Sequence, residues 1–294
     1  MKAFGINHAE IYFRKGVWGE VAEISGIECV GLVKEDPAGH FQLGQKVMAL
    51  VGGMGRSING SYAEMVSVPA SNVVAIHSGL SWEQLAAIPE SYATAWTSLV
   101  AILQITGSGQ AVAVRGATSA LGQAAVNIAA RLGAHIIATT RNPARRAFLE
   151  GLGASEALIE STELSRQVRE RHPQGIDAVL DIVGNTTILD SLGMLRRNGR
   201  VCVVGFLGGG GPLTLEPVFQ IPSARNLTVF ASALVTGTNE FPLSEIPFQE
   251  IVDCVANGSY KAKPAMVFHF DQIQEAHRLA ESGGANGKIV VTMN

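Results

Sequence analysis

Gly116, Ser119 and Gly122 stand at three-residue intervals in a stretch whose other members, Ala117, Thr118, Ala120 and Leu121, are small or aliphatic. Such residues leave backbone N–H groups open, and a helix that begins among them turns its positive end toward an anion. The chemistry is that of cradling a pyrophosphate. The flanking segments supply what must position it. Residues 111–114 are a short apolar run of buried-strand type. Residues 123–132 place apolar side chains at helical spacing, Gly133 stops the helix, and residues 135–139 form a second, β-branched strand. Strand, tight turn, helix and strand in about 30 residues is the unit that holds a dinucleotide. The spacing departs from G-x-G-x-x-G, and the alternative is a tight βα turn that binds nothing.

The end of the second strand selects between nicotinamide cofactors. An acidic residue there bonds the ribose 2′-hydroxyl of NAD. Here Thr140 and Arg141 occupy the place, Arg145 and Arg146 follow, and the next acid is Glu150. A guanidinium with a small hydroxyl suits a 2′-phosphate, because arginine grips phosphate as a fork. The reading is NADPH through Thr140 and Arg141, with Arg145 and Arg146 open to being a solvated helix face. Val183 and Gly184 follow one apolar strand, and Gly205 and Phe206 follow the next, which is where open α/β sheets bind ligands.

The chain has 294 residues, 47% of them apolar and 16% charged, enough for two domains with large cores. A net charge of −3 without a long basic run argues against nucleic acid as a partner. Cys29, Cys202 and Cys254 are scattered and odd in number, giving neither a disulfide framework nor a metal-ligand spacing. They fit buried thiols in a reducing, cytoplasmic compartment. Glu10, Arg14 and Lys15 interrupt any apolar leader, and no stretch has the length and apolarity of a membrane span.

The first part of the chain reads as strands at residues 29–33, 46–51 and 62–68, divided by Gly, Pro and Asp turns, as in a partly open barrel. Ser81 to Gln84 is a capping-box start, and Pro89 precedes a helix through Thr94 and Leu99. Further strands are expected at 157–159, 178–183, 200–204 and 226–231, and helices at 145–152, 187–195, 248–256 and 271–281. A last strand covers 288–292, and Gly208 to Gly211 form the single low-complexity patch. The pattern predicts an α/β protein. A Rossmann domain spans residues 93–257, and a β-rich catalytic domain is assembled from residues 1–92 and 258–294. Leu227, Val229 and Phe230 read as an uncovered apolar edge strand, which invites a homodimer.

Across essentially its whole length the chain resembles the zinc-independent medium-chain dehydrogenase/reductases of the quinone oxidoreductase branch. The resemblance rests on Gly5-Ile6-Asn7 with Tyr12 and Arg14-Lys15-Gly16; Gly26-Ile27-Glu28 with Gly31; Gly44-Gln45-Lys46-Val47; and Gly60-Ser61-Tyr62-Ala63-Glu64. It continues through Pro89 with Thr94-Ala95-Trp96, the Gly116–Gly122 turn, Asp181-Ile182-Val183-Gly184, Gly199-Arg200-Val201 with Gly205, and Gly287-Lys288-Ile289-Val290. It implies a GroES-like domain beside a Rossmann domain, with the cofactor between them. It also implies reduction of quinones or α,β-unsaturated carbonyls by hydride transfer, and pairing of edge strands across a two-fold axis. By the same resemblance Tyr12 and Asn7 face the substrate, while Thr94 and Lys288 lie near the cofactor. Tyr12 is then either a proton donor to a developing enolate or a pocket wall. Asn7 is a polar neighbour or a loop holder, and Lys288 a cofactor contact or a solvated charge.

Two departures stand out. Ile27 occupies the position of the zinc-ligating histidine of the alcohol dehydrogenase branch, and the four-cysteine lobe is missing, so no metal is expected in catalysis. The chain also starts where family members have already run about 30 residues, by truncation or by natural shortening. Besides the NADPH-dependent reductase, two readings remain: a non-redox cyclase or isomerase on the same fold, and a cofactor-binding protein without turnover.

Overall fold

A computed structural model describes residues 1–209 and 211–293; Gly210 of the glycine patch and Asn294 of the expected last segment lie outside the described residues. The chain divides into two compact units, one formed by Met1–Ala93 with Ser232–Asn294, the other by Thr94–Ala231.

The first unit begins with β1 (Ala3–Ile6), α1 (His8–Arg14), β2 (Glu28–Leu32), β3 (Lys46–Leu50), β4 (Val73–Ala75) and α2 (Trp82–Ala86). The boundary falls inside α3 (Pro89–Trp96), which continues into a π-type turn at Thr97–Ile102. The second unit then runs β5 (Ala111–Arg115), α4 (Ala120–Leu132), β6 (His135–Thr140), α5 (Arg146–Leu152), β7 (Glu156–Ile159), α6 (Leu164–Arg171), β8 (Ile176–Asp181), α7 (Ile188–Met194), β9 (Leu195–Val203), α8 (Pro217–Gln220) and β10 (Asn226–Val229). The chain re-enters the first unit with α9 (Ser232–Val235), α10 (Phe248–Ala256), β11 (Met266–His269), α11 (Ile273–Ser282) and β12 (Ile289–Thr292).

In the second unit every strand is parallel to its neighbours, in the order β10-β9-β8-β5-β6-β7. Read from the other edge, this is the doubly wound order whose ligand crevice lies at the C-terminal ends of the strands. Val112, Ala113, Val114, Ile136, Ile137, Val179 and Leu180 are fully buried, as strands covered on both faces must be. The first unit holds a six-stranded sheet, β11-β12-β1-β2-β3-β4, antiparallel except for β11 against β12. Phe4, Ile11, Cys29, Met54 and Val291 lie in its core, with Tyr62 stacked on Phe4 at a centroid distance of 4.7 Å.

Several elements differ from the sequence reading. Residues 62–68 form no strand. Their chain start is tied to a neighbouring loop, with Gly60 N donating to Ile24 O at 2.8 Å and Tyr62 N to Ser25 O at 3.0 Å, and Tyr62, Val66 and Val68 pack on the core without a ladder. The second boundary lies at Ala231/Ser232 instead of residue 257. Contacts inside the first unit hold the intervening stretch: Gly52 N donates to Thr236 O, Asn72 Nδ2 to Gly237 O, and Gln249 exchanges two hydrogen bonds with the His77 backbone. The β10 edge is also less apolar than its sequence suggests. Phe230, one residue past the strand, is 2% exposed and Leu227 is half-buried, leaving Val229 at 69%. The edge itself is real, since among the described residues β10 pairs with β9 alone.

Candidate functional site

The glycine turn opens directly from β5. Gly116 has φ +79°, a left-handed conformation that disfavours side chains, and its N–H donates to Thr139 Oγ1 on the adjoining β6 at 3.1 Å. Ser119 caps α4, its hydroxyl accepting from Gly122 N at 3.1 Å. A Cβ at Gly122 would strike Ala117 Cα and Gly116 O, so only glycine lets the helix press this close to the backbone of the turn. The N–H groups of Thr118, Ala120 and Leu121 have no protein acceptor among the described residues. A 13-residue helix with open amides at its first turn, over a cradle that admits no side chain, fits a pyrophosphate.

The neighbouring expected residues gather at the same ends of the strands. Thr140 closes β6, buried, and its hydroxyl accepts from Asn142 N at 3.1 Å. Arg141 follows it, exposed and without an ion-pair partner among the described residues, so its guanidinium is open to an anion. Arg146 is committed elsewhere, with Nε donating to Ala157 O at 2.8 Å. Arg145 lies over the Phe148 ring at 4.2 Å. After β8, the N–H groups of Val183 and Gly184 donate to Asp181 Oδ1 at 3.0 and 2.9 Å. A Cβ at Gly184 would meet Gly205 O and Phe206, so those two expected pairs are in contact. Thr94 is buried on α3, at the start of the second unit.

Beneath this rim lies a network that the sequence reading missed. Arg115, the residue before the turn, is fully buried and ion-paired to Glu160 and to Asp190 Oδ2, the latter at 2.7 Å. It also donates to Ser191 Oγ at 3.1 Å and to the carbonyls of Ser161 and Thr187. Burial works against its charge, but Glu160, then Asp181 and Asp190, outweigh it and raise the guanidinium pKa. Glu160 accepts from Thr139 Oγ1 at 2.7 Å, linking this charge cluster to the turn. Local spacing carries no signal for it, because the partners are 45 and 75 residues away.

The other expected residues are in the first unit. Asn7 caps α1, and with Glu10 it closes a capping box: Asn7 N donates to Glu10 Oε2 at 2.6 Å. Asn7-His8-Ala9-Glu10 is the local signature that would have revealed α1. The Asn7 amide is engaged at both ends, with Nδ2 donating to Glu28 Oε1 at 2.9 Å and Oδ1 accepting from Lys288 Nζ at 2.6 Å. Lys288 is 5% exposed and ion-paired to Glu28, so the solvated-charge alternative does not hold. Glu28 also accepts from Glu90 N at the start of α3, at 2.7 Å. Glu10 is fully buried and accepts from Ile27 N at 3.2 Å. Burial pushes its carboxyl up to about 8, against the pull of Lys288 and with the help of Glu28. Asn7 and Lys288 are thus in direct contact, in a framework that ties β1, α1, β2, α3 and β12. Tyr12 is half-buried on α1. It stacks on Trp18 at 5.9 Å and lies 6.3 Å from the His8 ring, with burial raising its phenol pKa. Burial, then Lys288, lowers the pKa of His8.

Outside both groups, His135, Glu156 and His172 converge on the second unit, a set that no spacing in the sequence announces. Cys29, Cys202 and Cys254 are free thiols, all buried, and none belongs to it.

Comparison with known proteins completes the description. Residues 1–78 match the alcohol dehydrogenase GroES-like domain, and residues 120–250 match the zinc-binding dehydrogenase model. Squalestatin tetraketide synthase of Phoma sp. (strain C2932) is 28% identical over 99% of the chain and 11% of that protein, so the chain spans about a tenth of the length of such curated relatives. The structure of Escherichia coli quinone oxidoreductase complexed with NADPH superposes with a TM-score of 0.85 at 23% identity, covering 99% of this chain and 89% of that one. JamJ enoyl reductase superposes with a TM-score of 0.82 at 23% identity, covering 100% and 90%. At these identities the two structures establish a shared fold. With both family models matched in order and the fold agreeing throughout, the chain belongs to the medium-chain dehydrogenase/reductases and has the architecture of their quinone oxidoreductase-like members.

Proposed function

We propose that the protein is an NADPH-dependent reductase of quinones or α,β-unsaturated carbonyls that works without a catalytic metal. The observation that carries this reading is the turn at Gly116–Gly122, with its open amides at Thr118, Ala120 and Leu121 and an unpaired Arg141 beyond the adjoining strand. Bound NADPH would supply the hydride. The turn's amides would hold its pyrophosphate, and Thr140 and Arg141 its 2′-phosphate. Thr94, Val183, Gly184, Gly205 and Phe206 would contact the rest of the cofactor, and Lys288 would set the shape of the first unit through Asn7. Tyr12, a neutral phenol, can donate a hydrogen bond or a proton where an enolate oxygen develops. Ile27, 1% exposed, puts an aliphatic side chain where a zinc-using relative would need a ligand.

The test begins with fluorescence titrations of NADPH and NADH. Arg141→Ala should weaken NADPH about tenfold to a hundredfold, from loss of one charge-assisted contact, and leave NADH unchanged; equal loss for both would remove Arg141 from the site. Turnover is then measured with one quinone and one enone. Tyr12→Phe should lower kcat for the enone about 10²-fold and spare the quinone, whose oxygens take protons from solvent. NADPH binding without oxidation by either substrate would favour the non-redox reading.

The same reading includes a homodimer and a cytoplasmic location. The open β10 edge supports the dimer, together with Val218 and Phe219 on α8, 86% and 87% exposed. A monomer by light scattering at micromolar concentration would count against it. Three free buried thiols support the location, and no helix among the described residues is long and apolar enough to cross a membrane.

A further inference from the structure

His135 opens β6, Glu156 opens β7, and His172 caps the C-terminus of α6. Glu156 is in register with Ile137, so it lies diagonally across the ladder from His135 on the same face of the sheet. Its Oε1 sits 2.8 Å from His135 Nε2 and 2.9 Å from His172 Nε2. The three donor atoms all lie within 4.8 Å of one another. Arg171 Nε approaches the other oxygen, Oε2, at 3.3 Å, which holds the carboxylate with Oε1 turned to both rings. The two imidazoles meet with centroids 5.2 Å apart, edge to face.

We propose that His135, Glu156 and His172 form a binding site for a divalent transition-metal ion of the zinc class, with water completing the coordination. Two imidazole nitrogens and one carboxylate oxygen suit a borderline ion and disfavour magnesium or calcium, which take oxygen donors. In a tetrahedral zinc site with bonds of about 2.0–2.1 Å, ligand atoms lie about 3.3 Å apart. The nitrogen–oxygen separations here are therefore within about half an ångström of that, and rotation of exposed or half-buried rings covers the difference. Arg171 takes the place of an outer partner that orients the ligating carboxylate. The site belongs to the fold and not to the chemistry. It sits at the N-terminal ends of the strands, whereas Thr140 and the glycine turn sit at the C-terminal ends, about 16 Å away along β6. Its ligands come from three elements, 21 and 16 residues apart in sequence, so they gather only in the folded unit. An ion held there stabilises the native state by mass action.

The experiment is a titration of chelator-treated full-length protein with Co(II), read by visible absorption, followed by Zn(II) displacement and a thermal melt with and without Zn(II). The expected result is one Co(II) per chain, with ligand-field bands and no sulfur charge-transfer band, displaced by Zn(II), and a melting temperature that rises with Zn(II). His135→Gln and His172→Gln should each weaken binding at least tenfold and abolish the rise, while their metal-free melts match the wild type. Six of the seven histidines remain in each variant, five of them outside the site. Absence of bound Co(II) in the wild type, or binding that both variants retain, would overturn the proposal.

Discussion

Each unit buries one long cation among acids, and the two arrangements differ in how their acids meet water. Arg115 spreads its fork over Glu160, Asp190, Ser191 and two carbonyls. The Glu160 and Asp190 side chains keep 13% and 12% of their surface exposed. The third acid, Asp181, is fully buried but satisfied without Arg115, by Val183 N, Gly184 N, Thr187 Oγ1 and Ser191 Oγ. Lys288 is a point charge on Glu28 and Asn7, near Glu10, and neither glutamate has any exposed surface. In the second unit the acids can rehydrate when the cation is lost; in the first they cannot. A buried ion pair is thus costly to break in proportion to what the surviving partner can reach.

That contrast orders the expected effects of mutation. Lys288→Met should be the most damaging, by about 3–5 kcal/mol, because it strands the Glu28 carboxylate with no path to water. The loss should grow between pH 6 and pH 9. Glu10 is held neutral up to about 8, and without Lys288 it resists ionisation further, so stability falls as pH rises through that range. Denaturant melts at the two pH values check this; a loss independent of pH would mean that Glu10 does not sense the lysine. Arg115→Met should cost less, about 3 kcal/mol, with little change from pH 6 to pH 9. A loss larger than that of Lys288→Met would break the comparison.

Glu10→Gln should have the smallest effect at neutral pH, about 1 kcal/mol, since the amide retains one acceptor for the capping box. Its value lies in the slope. A raised carboxyl pKa contributes stability that is complete below its unfolded value and lost as pH rises through about 8. The wild type should therefore lose stability from pH 7 to pH 9 relative to the variant, and parallel melting curves would place the ionised form of Glu10 at no disadvantage.

The same contrast explains what the sequence could tell. The turn was readable because its demands are local: Gly116 answers a positive φ, Ser119 caps the helix, and Gly122 answers a close approach, all within seven residues. The parallel strands were readable from unbroken apolar runs. Arg115 was not, since a lone arginine at the end of a strand acquires its meaning from Glu160 and Asp190, which the fold brings in. Lys288 drew attention through the family pattern, yet its contacts inside the first unit, to Asn7 and Glu28, are set by long-range pairing of β1 with β12 and β2. Phe230 shows the limit of a strand pattern at its end, where one residue past the ladder the side chain turns inward.

The pairing of β1 with β12 sets Ala3 opposite Thr292 and Phe4 opposite Val291. This ladder closes the segment between Ala3 and Thr292, and the second unit lies within that segment as one uninterrupted stretch of sequence. On a ribosome, that inner segment is complete once Ala231 has emerged, while the outer sheet must wait for its final strand. The connectivity therefore gives the two units different closure demands: every contact of the second joins residues of one continuous segment, whereas the sheet of the first needs strands from both flanking segments.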